Sequence, residues 1–149
     1  MASVASALSG HKLIALDTAV WIYHFEGSDA YGPAADRVLE AVSTGRVTAV
    51  ASELVLLELL VAPLKKGMQD AADEIELTLQ HFPHLRLVPA TRDILLRAAE
   101  IRAAYGLRTP DAIMLATAVE SGATLAVTND DAWRKVRGLE VAILSDLGS

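Results

Sequence analysis

Four acidic residues are the side chains of this sequence that could do chemistry: Asp17, Glu58, Asp111 and Asp130. Each lies beside or within an apolar stretch, where a carboxylate without a counter-charge is costly to bury. The chain has no cysteine, and its four histidines show no metal-ligand spacing. Carboxylates alone favour Mg²⁺ or Mn²⁺ over zinc. Such a site suits phosphodiester hydrolysis, in which one or two metals reduce the charge on phosphate and activate water.

Asp111 opens a helix whose remaining residues are almost all apolar. Thr109 suits the N-cap, Pro110 suits the first helical position, and residues 112–119 carry no charge. Because a helix that is apolar all round is buried, we expect Asp111 at the rim of the core. Taken alone, an acid in the first turn needs no explanation beyond a favourable interaction with the helix dipole.

The other three acids are expected near Asp111. Asp17 directly follows a predicted strand at 12–16, and Asp130 follows one at 123–127. Strand carboxyl ends and the following helix N-termini share one edge of a parallel sheet, and that edge binds ligands. Glu58 lies more than a turn into its helix, but its long side chain can reach back. Asp17 could equally be a helix cap, and Asp130 and Asp131 could form a turn; the role of Asp131 stays open.

Strands and helices alternate along the whole chain. Strands are predicted at 12–16, 47–51, 85–88, 123–127 and 139–144, with helices between them. This alternation predicts an α/β fold with a mostly parallel sheet of about five strands, covered by helices on both faces. Residues 12–149 are predicted to form a single domain, and residues 1–11 a flexible N-terminal extension.

Composition narrows the function classes. No apolar run approaches membrane-spanning length, and the N-terminal residues lack the positive region of a secretory signal. The absence of cysteine fits a reducing compartment. A net charge of −6 opposes broad electrostatic capture of nucleic acid. Local contacts to an anionic substrate are predicted for Arg108 and Arg134, although the basic residues at 134–137 could instead be a solvated surface run.

Four segments together resemble the PIN domain, the metal-dependent ribonuclease fold of the toxins of VapBC-type toxin–antitoxin pairs. They are residues 14–18, 52–60, 107–112, with its Thr-Pro-Asp-Ala sequence, and 125–130. In order and spacing the resemblance covers residues 13–147. It implies a three-layer α/β/α sandwich in which Asp17, Glu58, Asp111 and Asp130 form the family's catalytic, metal-binding quartet, supported by Thr18, Thr128 and Asn129.

The resemblance also implies cofactors and partners. We expect Mg²⁺ or Mn²⁺, single-stranded or looped RNA as substrate, a cytoplasmic homodimer, and an antitoxin that blocks the site. Residues 54–64 and the helix after Gly67 could form an apolar groove for a partner helix, although core packing also explains their apolar character.

Other functions fit the sequence less well. A phosphatase of the haloacid dehalogenase type needs a second Asp two residues after the first, where this chain has Ala19. A response-regulator receiver needs an Asp after strand three, where Val88 and Pro89 stand. Two alternatives remain open: a non-catalytic PIN-like scaffold that binds RNA or protein, and a stand-alone RNA-processing nuclease without an antitoxin.

Overall fold

The computed structural model describes residues 1–148. Over these residues the strands are β1 (Ala2–Ser3), β2 (Leu13–Leu16), β3 (Thr48–Ser52), β4 (Leu85–Val88), β5 (Leu125–Thr128), β6 (Glu140–Ile143) and β7 (Leu147–Gly148). The α-helices are α1 (Val4–Leu8), α2 (Thr18–Glu26), α3 (Gly32–Ser43), α4 (Leu54–Lys65), α5 (Gln69–Gln80), α6 (Arg92–Tyr105) and α7 (Thr109–Ser121). Short 3-10 helices span Asp131–Lys135 and Leu144–Asp146.

The central sheet has five parallel strands in the order β4-β3-β2-β5-β6. Helices cover both faces, so the structure confirms the predicted three-layer α/β/α architecture. The central strand β2 and its neighbour β5 are largely buried, and Leu16 of β2 lies opposite Val127 of β5. The backbone N–H of Asp17 donates to the carbonyl of Val127 at 3.0 Å. The ends of β2 and β5 are therefore adjacent, which brings the acids that follow them to one place.

One helix boundary differs from the sequence prediction. Helix α7 begins at Thr109, and Arg108 occupies the cap position without a side-chain cap, so Thr109 does not serve as the N-cap. Helix α4 continues past Pro63 to Lys65. The proline removes only one backbone donor near the helix end, and the N–H of Lys66 still reaches the carbonyl of Ala62 at 3.3 Å. None of the helices within residues 1–148 is both long enough and apolar enough to cross a membrane.

The N-terminal residues differ from the predicted flexible extension. Strand β1 pairs in parallel with β7, and α1 buries Val4 and Leu8 against the main core. The side chain of His11 contacts the amino ends of β5 and β6, with Nδ1 2.7 Å from Oγ1 of Thr124, which precedes β5, and Nε2 3.0 Å from Glu140 Oε2. Val4 and Leu8, four positions apart, are the only local signal of this packing, because the strand that pairs with β1 is β7, near the other end of the chain.

Candidate active site

A shallow cleft of about 340 Å³ opens at the carboxyl edge of the sheet. Its lining residues are Asp17, Thr18, Ala19, Ile22, Tyr23, Glu58, Arg108, Asp111, Asn129 and Asp130. The structure therefore brings the four acids that the sequence singles out into one cleft, together with Thr18, Asn129 and Arg108. They come from β2–α2, α4, α7 and the segment after β5, so the cleft exists only in the folded chain.

Asp17 is the most constrained of the four acids. It caps α2, with Oδ1 accepting from the backbone N–H of Thr18 at 2.7 Å, and Oδ2 accepts from Thr128 Oγ1 at 2.6 Å. Asp17 is therefore both the N-cap of α2 and a residue of the cleft. Burial raises the pKa of this carboxyl from its usual 3.8 to about 6, the nearby carboxylates of Asp111 and Glu58 add to the rise, and the two hydrogen bonds oppose it. An ionised Asp17 therefore lacks a sufficient counter-charge.

Glu58 is exposed, yet its side chain is tied to the start of α2. The hydroxyl of Thr18 donates to Glu58 Oε1 at 2.7 Å. One turn of α4 separates this residue from the helix start, and the long side chain spans that distance as predicted. The bond orients Glu58 toward the cleft and leaves Oε2 free to bind.

Asp111 lies in the first turn of α7 and is only 9% exposed. Its Oδ2 accepts from Arg108 Nε at 3.2 Å, while the Arg108 side chain is 80% exposed. The first turn of a helix stabilises an anion, and an exposed ion pair adds little further free energy to that stabilisation. Arg108 thus lies at the cleft against a carboxylate, and its outer N–H donors face solvent.

Thr128 connects the acids that follow β2 and β5. Its hydroxyl donates to Asp17 and accepts from the backbone N–H of Asp130 at 3.1 Å. Asp130 Oδ1 in turn accepts from the N–H of Ala132 at 2.9 Å and caps a 3-10 helix, as the turn interpretation expects. Buried Thr128 therefore fixes two of the cleft carboxylates relative to each other.

Arg134 lies outside the cleft lining. Its guanidinium contacts Asp131 at 2.8 Å and Asp146 at 2.6 Å. Asp131, whose role the sequence leaves open, is thus a partner of Arg134. The contact between Arg134 and the substrate stays a prediction; in the structure the guanidinium is half exposed and forms these two ion pairs.

Tyr23 is a cleft residue that the sequence reasoning missed. Its hydroxyl accepts from Asn129 Nδ2 at 3.0 Å, and Asn129 Oδ1 accepts from the N–H of Ser145 at 2.9 Å. The available signal was helical spacing: Ala19 and Tyr23 lie four residues apart on the face of α2 that continues from Asp17. In the sequence alone, this face of α2 indicates ordinary core packing.

The donor chemistry of the cleft fits a divalent cation. Among residues 1–148, no three Asp, Glu or His side chains stand already arranged around one ion position. Arg108 is nevertheless the single cation among the described residues that line the cleft, against four carboxylates. Hard oxygen ligands with this charge imbalance suit Mg²⁺ or Mn²⁺, whose charge would offset the cost of burying an ionised Asp17 and its smaller repulsion from Asp111 and Glu58.

The family model that matches this chain is the PIN domain, over residues 14–139. The chain belongs to the PIN domain family. No curated protein matches its sequence significantly. The matched range contains all four cleft acids and excludes β1 and α1, so this PIN domain carries its N-terminal helix in addition to the region that the family shares.

Solved structures of toxin–antitoxin systems share the fold of this PIN domain. A toxin–antitoxin complex from Klebsiella pneumoniae is 23% identical with a TM-score of 0.65, covering 88% of this chain and 97% of that one. VapBC2 from Rickettsia felis, bound to a promoter DNA fragment, is 17% identical with a TM-score of 0.69 over 88% and 98%. The sarcin-ricin loop cleaving toxin VapC20 of Mycobacterium tuberculosis is 21% identical with a TM-score of 0.62 over 76% and 86%. At these identities the likeness establishes the fold.

Proposed function

We propose that this PIN domain is a Mg²⁺- or Mn²⁺-dependent endoribonuclease of the cytoplasm and the toxin of a type II toxin–antitoxin pair. The observation that carries the proposal is the cleft itself, which is lined by four carboxylates from separate elements and, among the described residues, by Arg108 as the one cation. Membership of the PIN family and the likeness to toxins, one of which is named for cleaving the sarcin-ricin loop of RNA, support the choice of substrate.

Asp17, Glu58, Asp111 and Asp130 are the residues that would hold the metal. When bound, the ion supplies charge neutralisation at phosphate and lowers the pKa of water, the two requirements of phosphodiester hydrolysis. Thr128 and Thr18 each donate to one oxygen of a cleft carboxylate, which fixes its plane. Holding these carboxylates in place before the substrate arrives reduces the reorganisation that the reaction requires.

Arg108 has two functions in this proposal. Its Nε donor holds Asp111 in position, and its remaining N–H groups point outward, where a phosphate of the RNA can accept from them. The repulsion between the substrate and the acidic cleft is thereby reduced on the side where α7 begins. Arg134 is not included, because its guanidinium is already paired with Asp131 and Asp146.

The antitoxin is proposed to bind an apolar groove beside the cleft. The groove, of about 250 Å³, is lined by Ile22, Phe25, Glu26, Glu58, Leu59, Ala62, Pro63, Lys66, Met68 and Ile75. Ile22 and Glu58 line both the groove and the cleft. An antitoxin segment bound in the groove would therefore reach the cleft. Met68, which lines the groove, is about half exposed. A partner that buries this surface would block the acids, and a homodimer of the toxin is part of the same proposal.

Metal-dependent cleavage of a mixed RNA pool tests the nuclease. The wild-type protein should cut in Mg²⁺ or Mn²⁺, lose activity in EDTA, and leave 5′-phosphate and 3′-hydroxyl ends, because water attacks phosphorus directly. Cleavage that persists undiminished in EDTA, or that produces 2′,3′-cyclic ends, would contradict the proposal. RNA binding without any cleavage would favour the non-catalytic scaffold.

Co-expression tests the toxin role separately. The chain should co-purify with the product of a small open reading frame adjacent to its gene, and the complex should be inactive as a nuclease. Ala62→Asp with Met68→Asp should prevent co-purification without abolishing cleavage, because these exposed residues line the groove and lie outside the cleft lining. An active nuclease with no neutralising neighbour would favour the stand-alone RNA-processing enzyme.

A further inference from the structure

Tyr23 places an aromatic ring in the wall of the carboxylate cleft. It is half-buried on α2, and it lines the same cleft as Asp17, Glu58, Asp111 and Asp130. The hydrogen bond from Asn129 to its hydroxyl, with Asn129 in turn held by the backbone of Ser145, fixes the position of the phenol. A ring held in this way loses little further freedom when a ligand packs on it.

A second ring extends this surface. Tyr31, which precedes α3, lies with its centroid 5.0 Å from that of Tyr23 and its plane inclined by 51°. The backbone N–H of Tyr31 donates to Ser28 Oγ at 3.2 Å, which fixes the loop that carries the ring. Tyr23 and Tyr31 thus form a pair of aromatic rings, one of them in the cleft wall and the other beside it.

The charge of the cleft explains why such a pair would matter. Electrostatic attraction supplies much of the affinity of most nucleic-acid-binding proteins, and this chain has a net charge of −6 and a single cleft cation. Stacking between a base and an aromatic ring requires no positive charge and tolerates any base sequence. A single strand can offer an unstacked base, whereas a duplex holds its bases inside the helix.

We infer that the Tyr23–Tyr31 pair stacks a nucleobase of single-stranded RNA next to the phosphate that is cut. This inference rests on the proposed function and adds the residues that position the substrate. The stacked base would set which phosphate reaches the carboxylates, so the pair acts on substrate position and not on the chemical step. Loss of stacking should therefore raise KM and leave kcat nearly unchanged.

The test uses a short RNA whose cleavage position has been mapped. A series of copies carries one abasic site, moved by one nucleotide at a time across the cut. For the wild-type protein in Mg²⁺, one abasic position should raise KM roughly tenfold, the size of one lost base–aromatic stack. Tyr23→Leu should raise KM roughly tenfold on intact RNA and show no further rise at that abasic position, because the two changes remove the same contact.

Three further variants separate stacking from structural effects. Tyr23→Phe keeps the ring and should retain the response to the abasic site, although Asn129 loses its acceptor. Tyr31→Leu breaks no side-chain hydrogen bond among the described residues and should weaken the response even if Tyr23→Leu does not fold. Tyr105→Leu is the matched control, since Tyr105 lies on α6 outside the cleft lining, where its hydroxyl accepts from the N–H of Arg137.

Equal responses of wild type, Tyr23→Leu and Tyr31→Leu to every abasic position would overturn the inference while leaving the nuclease intact. A loss of kcat with unchanged KM in the leucine variants would also overturn it. If the wild-type protein cleaves no RNA in Mg²⁺ or Mn²⁺, the proposed function fails, and the inference fails with it.

Discussion

Two groups of carboxylates lie at the carboxyl edge of the sheet, and they differ in their counter-charges. Asp131 and Asp146 share the guanidinium of Arg134 at 2.8 and 2.6 Å. The four carboxylates of the cleft share only Arg108, which contacts one of them at 3.2 Å. The first group is exposed and has one cation for two carboxylates, whereas the second is partly buried and has one cation for four.

The two groups of carboxylates differ in their position relative to a cation and not in the type of side chain. Asp130 and Asp131 are adjacent in sequence, yet one lines the cleft and the other binds Arg134. Exposed ion pairs contribute little free energy, so the Arg134 network needs no ligand to explain it. Unbalanced carboxylates in a partly buried cleft are unfavourable unless a cation joins them, and this is the physical basis for the proposed metal site.

The largest expected difference between the groups is in RNA cleavage. Asp17→Asn and Glu58→Gln should each lower the rate in Mg²⁺ by about 10³-fold, because each removes a carboxylate that holds the metal. Asp131→Asn should change the rate by less than about twofold, since it removes only one exposed ion pair. Initial rates of cleavage of a single RNA under saturating Mg²⁺ measure the effect of each of the three substitutions. Comparable losses in all three variants would eliminate the distinction between the groups.

The next difference concerns pH. Because the folded pKa of Asp17 is raised from 3.8 to about 6, the folded protein holds this proton more tightly than the unfolded chain does. The resulting stability is fully present below about pH 4 and is lost as pH rises through 6, a change of about 3 kcal/mol at 1.4 kcal/mol per pH unit.

Urea unfolding in EDTA between pH 4 and pH 7 measures this loss. Subtracting the Asp17→Asn curve from that of the wild type removes the contributions of other groups, and the difference should fall as pH rises. Asp131→Asn is the control and should follow the wild type. A difference that is flat, or that rises with pH, would show that Asp17 has an ordinary environment.

Much of the fold and cleft could be predicted because the signals are local. Alternation of strands and helices predicts the parallel sheet, and an acid directly after a strand must lie at the carboxyl edge, as Asp17 does. The features that escaped prediction depend on distant partners. Arg134, for example, is paired with Asp146, twelve residues away in another 3-10 helix, and the sequence gives no indication of that ion pair.

The N-terminal helix was missed for a similar reason. Val4 and Leu8 are too few to indicate a core contact, and the strand that β1 joins is the last in the chain. Tyr23 was missed because an aromatic residue on an apolar helix usually belongs to the core. Its place in the cleft follows from the packing of α2, which sequence periodicity does not determine.

The smallest predicted effect distinguishes the two arginines. Arg108→Ala should weaken RNA binding several-fold and reduce the salt slope by about 0.7, the value for one phosphate contact on a single strand. Arg134→Ala should leave both unchanged, because its guanidinium is engaged by two carboxylates. Binding isotherms across a salt series would measure the slopes. Equal salt slopes for both variants and the wild type would show that the RNA does not contact the start of α7.

Paired melting curves of the wild type and Asp111→Asn, with Mg²⁺ and with EDTA, test the metal site most directly. If Asp111 belongs to a crowded site, its neutral variant should be as stable as the wild type or more stable in EDTA. The stabilisation by Mg²⁺, which follows mass action on the folded state, should then shrink or disappear in Asp111→Asn and persist in Asp131→Asn. If Asp111 only complements the helix dipole, the variant should lose about 0.3–1 kcal/mol in both conditions and keep its response to Mg²⁺, and that result would contradict the metal site.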